Sequence, residues 1–313
     1  MKAFQIKKYS KKEKLQLTEI AEPTVKENEV LVEIHAAGVN LLDTKIKTGE
    51  FKIFLPYKRP LTNGHDMAGV VVKVGSGVST FKVGDEVYSR VGDYSIGTFA
   101  EYISVKEKDL ALKPKNLTMV EAASIPLVGL TVWQALVESA NLKKGQKVFI
   151  QAGSGGVGTF AIQFAKNLGA TVATTTSTAN IEMVKSLGAD VVIDYKKEDF
   201  EKVLKDYDVV LNSQDAKTLE KSLRILKPGG KLISISGPPD TDFAAQMDLP
   251  WYLKLVMKLL SFGVKKRAKR LNVNYSFLFM KAEGNQLNEI TALIESGKIR
   301  PVIDKVFPFE QTN

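Results

Sequence analysis

The stretch KVFIQAGSGGVGTFAIQFAKNLG, residues 147–169, decides the fold. An apolar strand (Lys147–Gln151) runs into a glycine-rich turn, which opens directly into an apolar helix closed by Gly169. On its C-terminal side strands and helices alternate: ATVATTT from Ala170, NIEMVKSLGA from Asn180, DVVIDY from Asp190, a helix over Lys197–Lys205, DVVLNS from Asp208, TLEKSLRILK from Thr218 and KLISIS from Lys231. Gly169 and Gly188 stand where helix C-caps belong, and Pro228-Gly229-Gly230 ends the last helix of the series. Strict β–α alternation with apolar strands predicts a parallel sheet covered by helices on both faces.

Gly153, Gly155 and Gly158 form a G-x-G-x-x-G directly after a strand and at the opening of a helix, the one context in which the pattern is specific. Gly153 permits the tight turn, Gly155 lets the backbone approach a pyrophosphate, and Gly158 lets the helix pack closely on the sheet. Free N–H groups and the helix dipole then face the phosphates. The choice between NAD and NADP falls at the end of the next strand, where a carboxylate would bind a ribose 2′-hydroxyl and repel a 2′-phosphate. That stretch reads Thr174-Thr175-Thr176-Ser177-Thr178-Ala179-Asn180, with hydroxyls and an amide and no acid. The expected cofactor is therefore NADPH.

Ahead of this region the first third reads as short strands divided by turns. Val30–His35 alternates, Gly69–Val74 is apolar, Gly75-Ser76-Gly77 turns the chain, and Val83–Tyr88 follows. Evenly spaced short strands predict a compact, barrel-like β domain. Val120–Ala140 holds a helical period. Behind the alternating region Asp240–Asn274 interrupts the order with WYLKLVMKLLSFGVKKRAKR, residues 251–270, which is amphipathic and basic. Two readings fit it: a helix packed over a cofactor or substrate cleft, which is favoured, and a membrane-surface helix. YSFLFM reads as a strand, QLNEITALIESG as a helix closed by Gly297, and IRPVIDKVFPF as a return to β character. The domains expected are 1–121, with 298–313 returning to it, and 122–297 with its insertion at about 240–274.

The chain of 313 residues suits two domains. No apolar run is long enough to span a membrane, and no apolar signal core follows the basic N-terminus, so the expected location is cytoplasmic. With no cysteine and two histidines, disulfides, thiolate zinc sites, iron–sulfur clusters and cysteine nucleophiles are excluded. The net charge of +9 is read as a solvated surface with attraction for a phosphorylated cofactor. Nucleic-acid binding is not expected, because the basic run 265–270 has no interleaved aromatics.

Taken in order, a set of motifs resembles the medium-chain dehydrogenase/reductase superfamily, in its zinc-independent quinone and enone oxidoreductase branch. They are Gly38-Val39-Asn40 with Asp43 and Lys45, Gly64-His65-Asp66-Met67-Ala68-Gly69, Val83–Val87, Gly97–Tyr102, the glycine turn, Ser177–Asn180, Leu187–Asp190, Ile193-Asp194-Tyr195 and Lys227–Gly230. The resemblance implies an α/β protein with a Rossmann doubly wound parallel sheet and a β-rich GroES-like catalytic domain, with a cleft between them for nicotinamide and substrate. It also implies NADPH contacts at Gly156, Val157, Ser177, Thr178, Asn180 and Tyr195, places Lys45 on the nicotinamide and substrate side, and suggests a homodimer. Zinc alcohol dehydrogenases of the superfamily have a cysteine where Asn40 stands and a His-Glu pair where His65-Asp66 stand, so no metal site is expected.

Without a Lewis acid to hold an alkoxide, alcohol oxidation is poorly supported. A quinone or conjugated enone spreads incoming charge over its own π-system, and donors at its carbonyl suffice. The expected reaction is hydride delivery from NADPH to such an acceptor, with Lys45 and Asn40 orienting nicotinamide and carbonyl. The alternatives are an NADPH-binding or partner-binding protein without catalysis, and an enoyl-thioester reductase. Two departures from the family pattern stand out. Asn212-Ser213-Gln214-Asp215 occupies the place of a glycine-containing turn, and the chain ends at Asn313 where relatives continue with a helix and a strand, so a truncated catalytic domain is expected.

Overall fold

Short β-branched segments build the N-terminal part, as the computed structural model, which describes residues Met1–Asn313, shows. The strands are β1 (Lys2–Ile6), β2 (Gln16–Glu19), β3 (Glu29–Gly38), β4 (Leu61–Thr62), β5 (Asp66–Val74), β6 (Glu86–Arg90), β7 (Tyr102–Lys106) and β8 (Leu110–Leu112). They form a three-stranded sheet, β2-β1-β4, and a five-stranded antiparallel sheet, β7-β3-β5-β6-β8. The core of the larger sheet is mostly valine, with Val30, Val32, Val71, Val87 and Val105 around Met67 and with Ile103 and Leu110 beside them. Branched side chains pack well on a pleated surface. Helix α1 (Leu41–Thr48) leaves β3 at Asn40 and ends at Gly49, whose φ of +80° is the left-handed cap that glycine adopts without a steric cost.

The single helix expected over Val120–Ala140 is divided. α2 (Met119–Ala123) stops before Pro126, α3 (Pro126–Trp133) starts on it, and a π-helical turn follows over Gln134–Ser139. Proline has no N–H to continue a helix, yet suits a first helical position.

The alternating region forms β9 (Lys147–Ile150), α4 (Gly156–Asn167), β10 (Thr171–Thr176), α5 (Ile181–Ser186), β11 (Val191–Asp194), α6 (Phe200–Val203), β12 (Tyr207–Asn212), α7 (Ala216–Arg224) and β13 (Leu226–Ser234). Next come α8 (Thr241–Gln246), α9 (Trp251–Arg270) and β14 (Asn274–Phe277). The sheet is parallel throughout, in the order β11-β10-β9-β12-β13-β14. Chain order reverses between β9 and β12, and the crevice at such a switch point is where open α/β sheets take their ligands. Phe149, Ala173, Val210, Leu223 and Leu232 fill the core.

Three local expectations change here. The helix expected over 197–205 is one turn, α6, because Asp199 caps it by accepting from the Glu201 N–H and Leu204 is already extended. Pro228-Gly229-Gly230 does not follow a helix directly: α7 ends at Arg224, and the three residues bulge within β13, where pairing with β12 skips from Leu226 to Lys231. The return to β character over 299–309 is absent. Residues 298–308 carry no strand, and a single 3₁₀ turn follows at Phe309–Gln311.

The final helix is α10 (Gly284–Glu295). The chain divides into two compact units, Met1–Leu130 with Lys281–Asn313, and Thr131–Met280. The divisions expected from the sequence fall at 121/122 and 297/298. Side chains show why α10 sorts with the β-rich unit: the buried Tyr88 hydroxyl donates to Leu287 O at 2.8 Å, and Asn116 Nδ2 donates to Ile294 O at 3.0 Å. No helix is long and apolar enough to cross a membrane.

Within its unit the inserted helix α9 packs on α7, α8 and β14. Met257, Ser261, Val264 and Ala268 are buried at spacings of four, three and four, one inward face. Lys265 bridges to Asp240 at 3.1 Å, fixing α9 to the cap of α8, and Arg267 pairs with Glu220 of α7.

Candidate functional site

In the nucleotide-binding unit the glycine turn sits at the C-terminal end of β9. A Cβ on Gly153 would lie 2.2 Å from Thr174 Oγ1, and one on Gly158 would lie 2.2 Å from Ala152 O and 2.7 Å from the Gly153 Cα. Those two glycines are demanded by the fold itself. Gly155 is different: its nearest neighbour would be Ala152 O at 3.4 Å, an ordinary contact. Gly155 and Gly156 are exposed, and the N-cap Gly155 offers no side-chain cap to α4. The first N–H groups of α4, at Gly156 and Val157, thus lack helical partners and meet open space, which is what an anionic pyrophosphate needs. The residues fit a dinucleotide.

The end of β10 sorts the hydroxyls proposed for a 2′-phosphate. Thr174, Thr175 and Thr176 are buried. Thr174 Oγ1 donates to Ile150 O and Thr175 Oγ1 accepts from the Ala152 N–H, so both serve the turn. Ser177, Thr178 and Asn180 remain accessible, and Tyr195 is exposed. One neighbour lay out of reach of a reading along the chain. Asp194, at the end of β11, accepts from the Thr178 hydroxyl at 2.5 Å and from the Lys196 N–H at 3.0 Å. The Thr178 hydrogen bond holds its carboxyl below the usual range. A carboxylate therefore does stand beside the 177–180 turn, with Lys197 Nζ 3.8 Å away to offset it.

At the switch point a buried polar chain joins three strand ends. Asn212 Nδ2 donates to Gln151 Oε1 at 2.8 Å, Gln151 Nε2 donates to Ser222 Oγ at 2.7 Å, and Ser234 Oγ donates to Asn212 Oδ1 at 2.6 Å. The Ser213 and Gly237 N–H groups donate into the same chain. It holds the two loops that follow β12 and β13. Its sequence signal was a polar residue closing each apolar strand, as in KVFIQ, DVVLN and KLIS.

In the β-rich unit the motif residues gather around the start of α1. The Asn40 N–H donates to Asp43 Oδ2 at 2.7 Å, and Asn40 Nδ2 donates to Asp66 Oδ2 at 3.0 Å. The other Asp66 oxygen accepts from the Leu127 N–H at 3.0 Å. His65 Nδ1 lies 2.5 Å from Asp43 Oδ1, with both side chains buried, while His65 Nε2 has no partner. Burial pushes the Asp66 carboxyl up to about 8, against the Asn40 hydrogen bond that favours its anion. Lys45 is not in this cluster. It lies five residues beyond Asn40, roughly 140° around the helix axis, and its Nζ sits 5.9 Å from the centre of the Phe51 ring. Val39 and Leu41, on either side of Asn40, are exposed apolar residues. His35 is a surface residue, 3.9 Å from Glu33.

Catalytic zinc takes three protein ligands. Here Asn40 supplies an amide that donates to Asp66, Asp66 is occupied on both oxygens, and His65 is tied to Asp43. No group of three or more His, Cys, Asp or Glu side chains could hold a metal ion. The donor set does not fit zinc.

A parallel sheet with an open glycine turn at its switch point and, in the same chain, a β-rich unit with this polar cluster define a nicotinamide-dependent oxidoreductase. The family model for the alcohol dehydrogenase GroES-like domain matches residues 26–115, and that for zinc-binding dehydrogenase matches residues 187–313. The chain is 37% identical over 321 residues to 2-methylene-furan-3-one reductase of Solanum lycopersicum, covering 99% of this chain and 73% of that protein. It is 36% identical to the chloroplastic NADPH-dependent alkenal/one oxidoreductase of Arabidopsis thaliana, with the same coverage. The Escherichia coli quinone oxidoreductase complexed with NADPH aligns with a TM-score of 0.81 at 28% identity, over 97% of this chain and 91% of that one. The chain belongs to the medium-chain dehydrogenase/reductase superfamily, in its quinone and enone oxidoreductase branch.

Proposed function

We propose that the protein reduces quinones or α,β-unsaturated carbonyl compounds with NADPH and without zinc. The observation that carries this reading is the contrast at the glycine turn: Gly153 and Gly158 are required by packing, whereas Gly155 is left free for a ligand. NADPH, when bound, supplies the hydride. The chain supplies anchorage at Gly155, Gly156 and Val157, and the exposed Tyr195 with Ser177, Thr178 and Asn180 for a 2′-phosphate. Lys196 and Lys197 add positive charge beside Asp194.

On the acceptor side, Asn40 is held by Asp43 and Asp66, and its exposed neighbours Val39 and Leu41 suit an apolar conjugated substrate. Lys45 donates at a carbonyl whose charge rises as hydride arrives. The names of the Solanum and Arabidopsis relatives, an enone-type reductase and an alkenal/one oxidoreductase, support the acceptor class over a purely binding role. We also assign a homodimer, supported by β14 standing at the open edge of its sheet.

The test is NADPH oxidation against quinones, enones, enoyl thioesters and aldehydes, each with and without a chelator. Chelator-resistant turnover of quinones or enones is expected; turnover confined to thioesters, or abolished by chelator, overturns the reading. Lys45→Ala should lower kcat on the best acceptor, and unchanged turnover removes Lys45 from the mechanism.

A further inference from the structure

Helix α9 has a second face that the fold does not use. Opposite the buried Met257–Ala268 stripe, Trp251 is 77% exposed, Tyr252 54%, Leu255 50%, Leu259 68% and Phe262 60%. These residues span about 17 Å of helix at 1.5 Å per residue. Contiguous apolar surface of this kind on a folded protein marks a contact site. The anchors at Lys265–Asp240 and Arg267–Glu220 keep the helix from rolling to bury it.

The charges around the stripe identify what covers it. Residues 251–270 hold seven Lys or Arg and no Asp or Glu. Lys254, Lys258, Lys266, Lys269 and Arg270 have no carboxylate partner, unlike Lys265 and Arg267, and Lys266 Nζ lies 5.7 Å from the centre of the Phe262 ring. Lys254 and Lys258 flank the apolar stripe along its length, and Lys269 and Arg270 extend beyond its end. A second copy of the helix would oppose this surface with the same sign, parallel or antiparallel. An anionic bilayer surface answers both features at once: the stripe enters the headgroup–acyl boundary while the lysines stay among phosphates. Trp and Tyr at the stripe's N-terminal end are side chains suited to that boundary.

We propose that α9 docks the protein on anionic lipid surfaces, lying in the interface plane without spanning it. Binding draws on apolar insertion and on charge together, so it weakens as salt rises. The two parts separate by substitution. Leu259→Glu/Phe262→Glu removes the insertion, and Lys254→Gln/Lys258→Gln removes two charges, each worth roughly a fivefold change in partitioning.

The experiment is co-sedimentation of the full chain with phosphatidylcholine vesicles and with mixed phosphatidylcholine–phosphatidylglycerol vesicles. A Trp133→Phe background leaves Trp251 as the sole tryptophan fluorophore, and thermal melts confirm that each variant is folded. Expected are sedimentation with the mixed vesicles only, a blue shift of Trp251, loss of both in the glutamate variant, and roughly tenfold or more weakening in the glutamine variant. No sedimentation with the mixed vesicles overturns the proposal. So does binding that the folded glutamate variant retains, since charge elsewhere would then suffice. Lipid-independent self-association that the glutamate variant abolishes also overturns it, because a second copy would then cover the face.

Discussion

The glycine turn of the nucleotide-binding unit and the Asn40–Asp66 cluster of the β-rich unit are both polar centres, but they satisfy their polar groups in opposite ways. At the turn, backbone N–H groups at the start of α4 are left without partners and without covering side chains. In the cluster, both oxygens of Asp43 and of Asp66 have partners among Asn40, His65 and the Leu127 N–H, and the Asp43, His65 and Asp66 side chains are buried while Asn40 is half-buried. The first arrangement is stable only because water, or a ligand, meets the open groups. The second needs neither, because burial of unpaired groups would be costly and the cluster pairs nearly all of them. The turn thus leaves its donors for a ligand, whereas the buried part of the cluster holds Asn40 in place without one.

The comparison breaks most visibly at Asp43. Asp43→Ala takes away the partner of the buried His65 Nδ1 and of the Asn40 N–H, and each buried polar group left without its partner costs about 1–3 kcal/mol; a chemical-denaturation midpoint indistinguishable from wild type would show that the cluster does not depend on this pairing. Next in size is a paired substitution at the turn. Gly158→Ala should destabilise by about 1–3 kcal/mol through overpacking against the Ala152 carbonyl. Gly155→Ala should leave the melting temperature unchanged and weaken NADPH binding by roughly ten- to a hundredfold, because the added Cβ holds the pyrophosphate away from the backbone N–H groups, at the cost of about one hydrogen bond to a charged group. Titration calorimetry finding equal NADPH affinity for Gly155→Ala and wild type would remove the distinction drawn between the glycines.

A smaller effect is written in pH. The Asp66 carboxyl titrates at about 8 in the fold, far above its unfolded value near 4. Its neutral form is the one the folded state prefers, so its contribution to stability is full below about pH 4, falls as pH rises, and is exhausted above about 8. Asp66→Asn should flatten that decline in melting temperature between pH 5 and 8; parallel curves for the two proteins would count against the burial argument. The smallest expected change is at Asp194. Replacing it with Asn removes a negative charge beside Thr178 and should shift the NADPH-to-NADH preference a few-fold toward NADPH, as the ratio of kcat/KM values reports.

Much of this was legible in one dimension. The β–α alternation from Lys147, the glycine spacing and the cap glycines follow from local rules, and they predicted the parallel sheet and the cradle at the end of β9. Asp194 was not legible, because β11 lies beside β10 through pairing at Thr176, and the carboxylate reaches Thr178 across strands and not along the chain. The single helix expected over Val120–Ala140 ignored Pro126, a local signal that was present. The missing strand after Lys298 has no such excuse in the residues: Ile299, Val302 and Ile303 carry β preference, and preference without a neighbouring strand to pair with forms no ladder.

Residue order by itself determined which groups could take part: no thiolate, two histidines, a glycine turn ahead of a helix and one basic amphipathic segment. Tertiary structure decided how each is used. It paired His65 and Asp66 with side chains in place of a metal, left Gly155 and not Gly153 free of packing, and turned one face of α9 inward while leaving the other in water. The reason is physical: whether a group is available depends on what fills the few ångströms around it, and those neighbours come from distant parts of the chain.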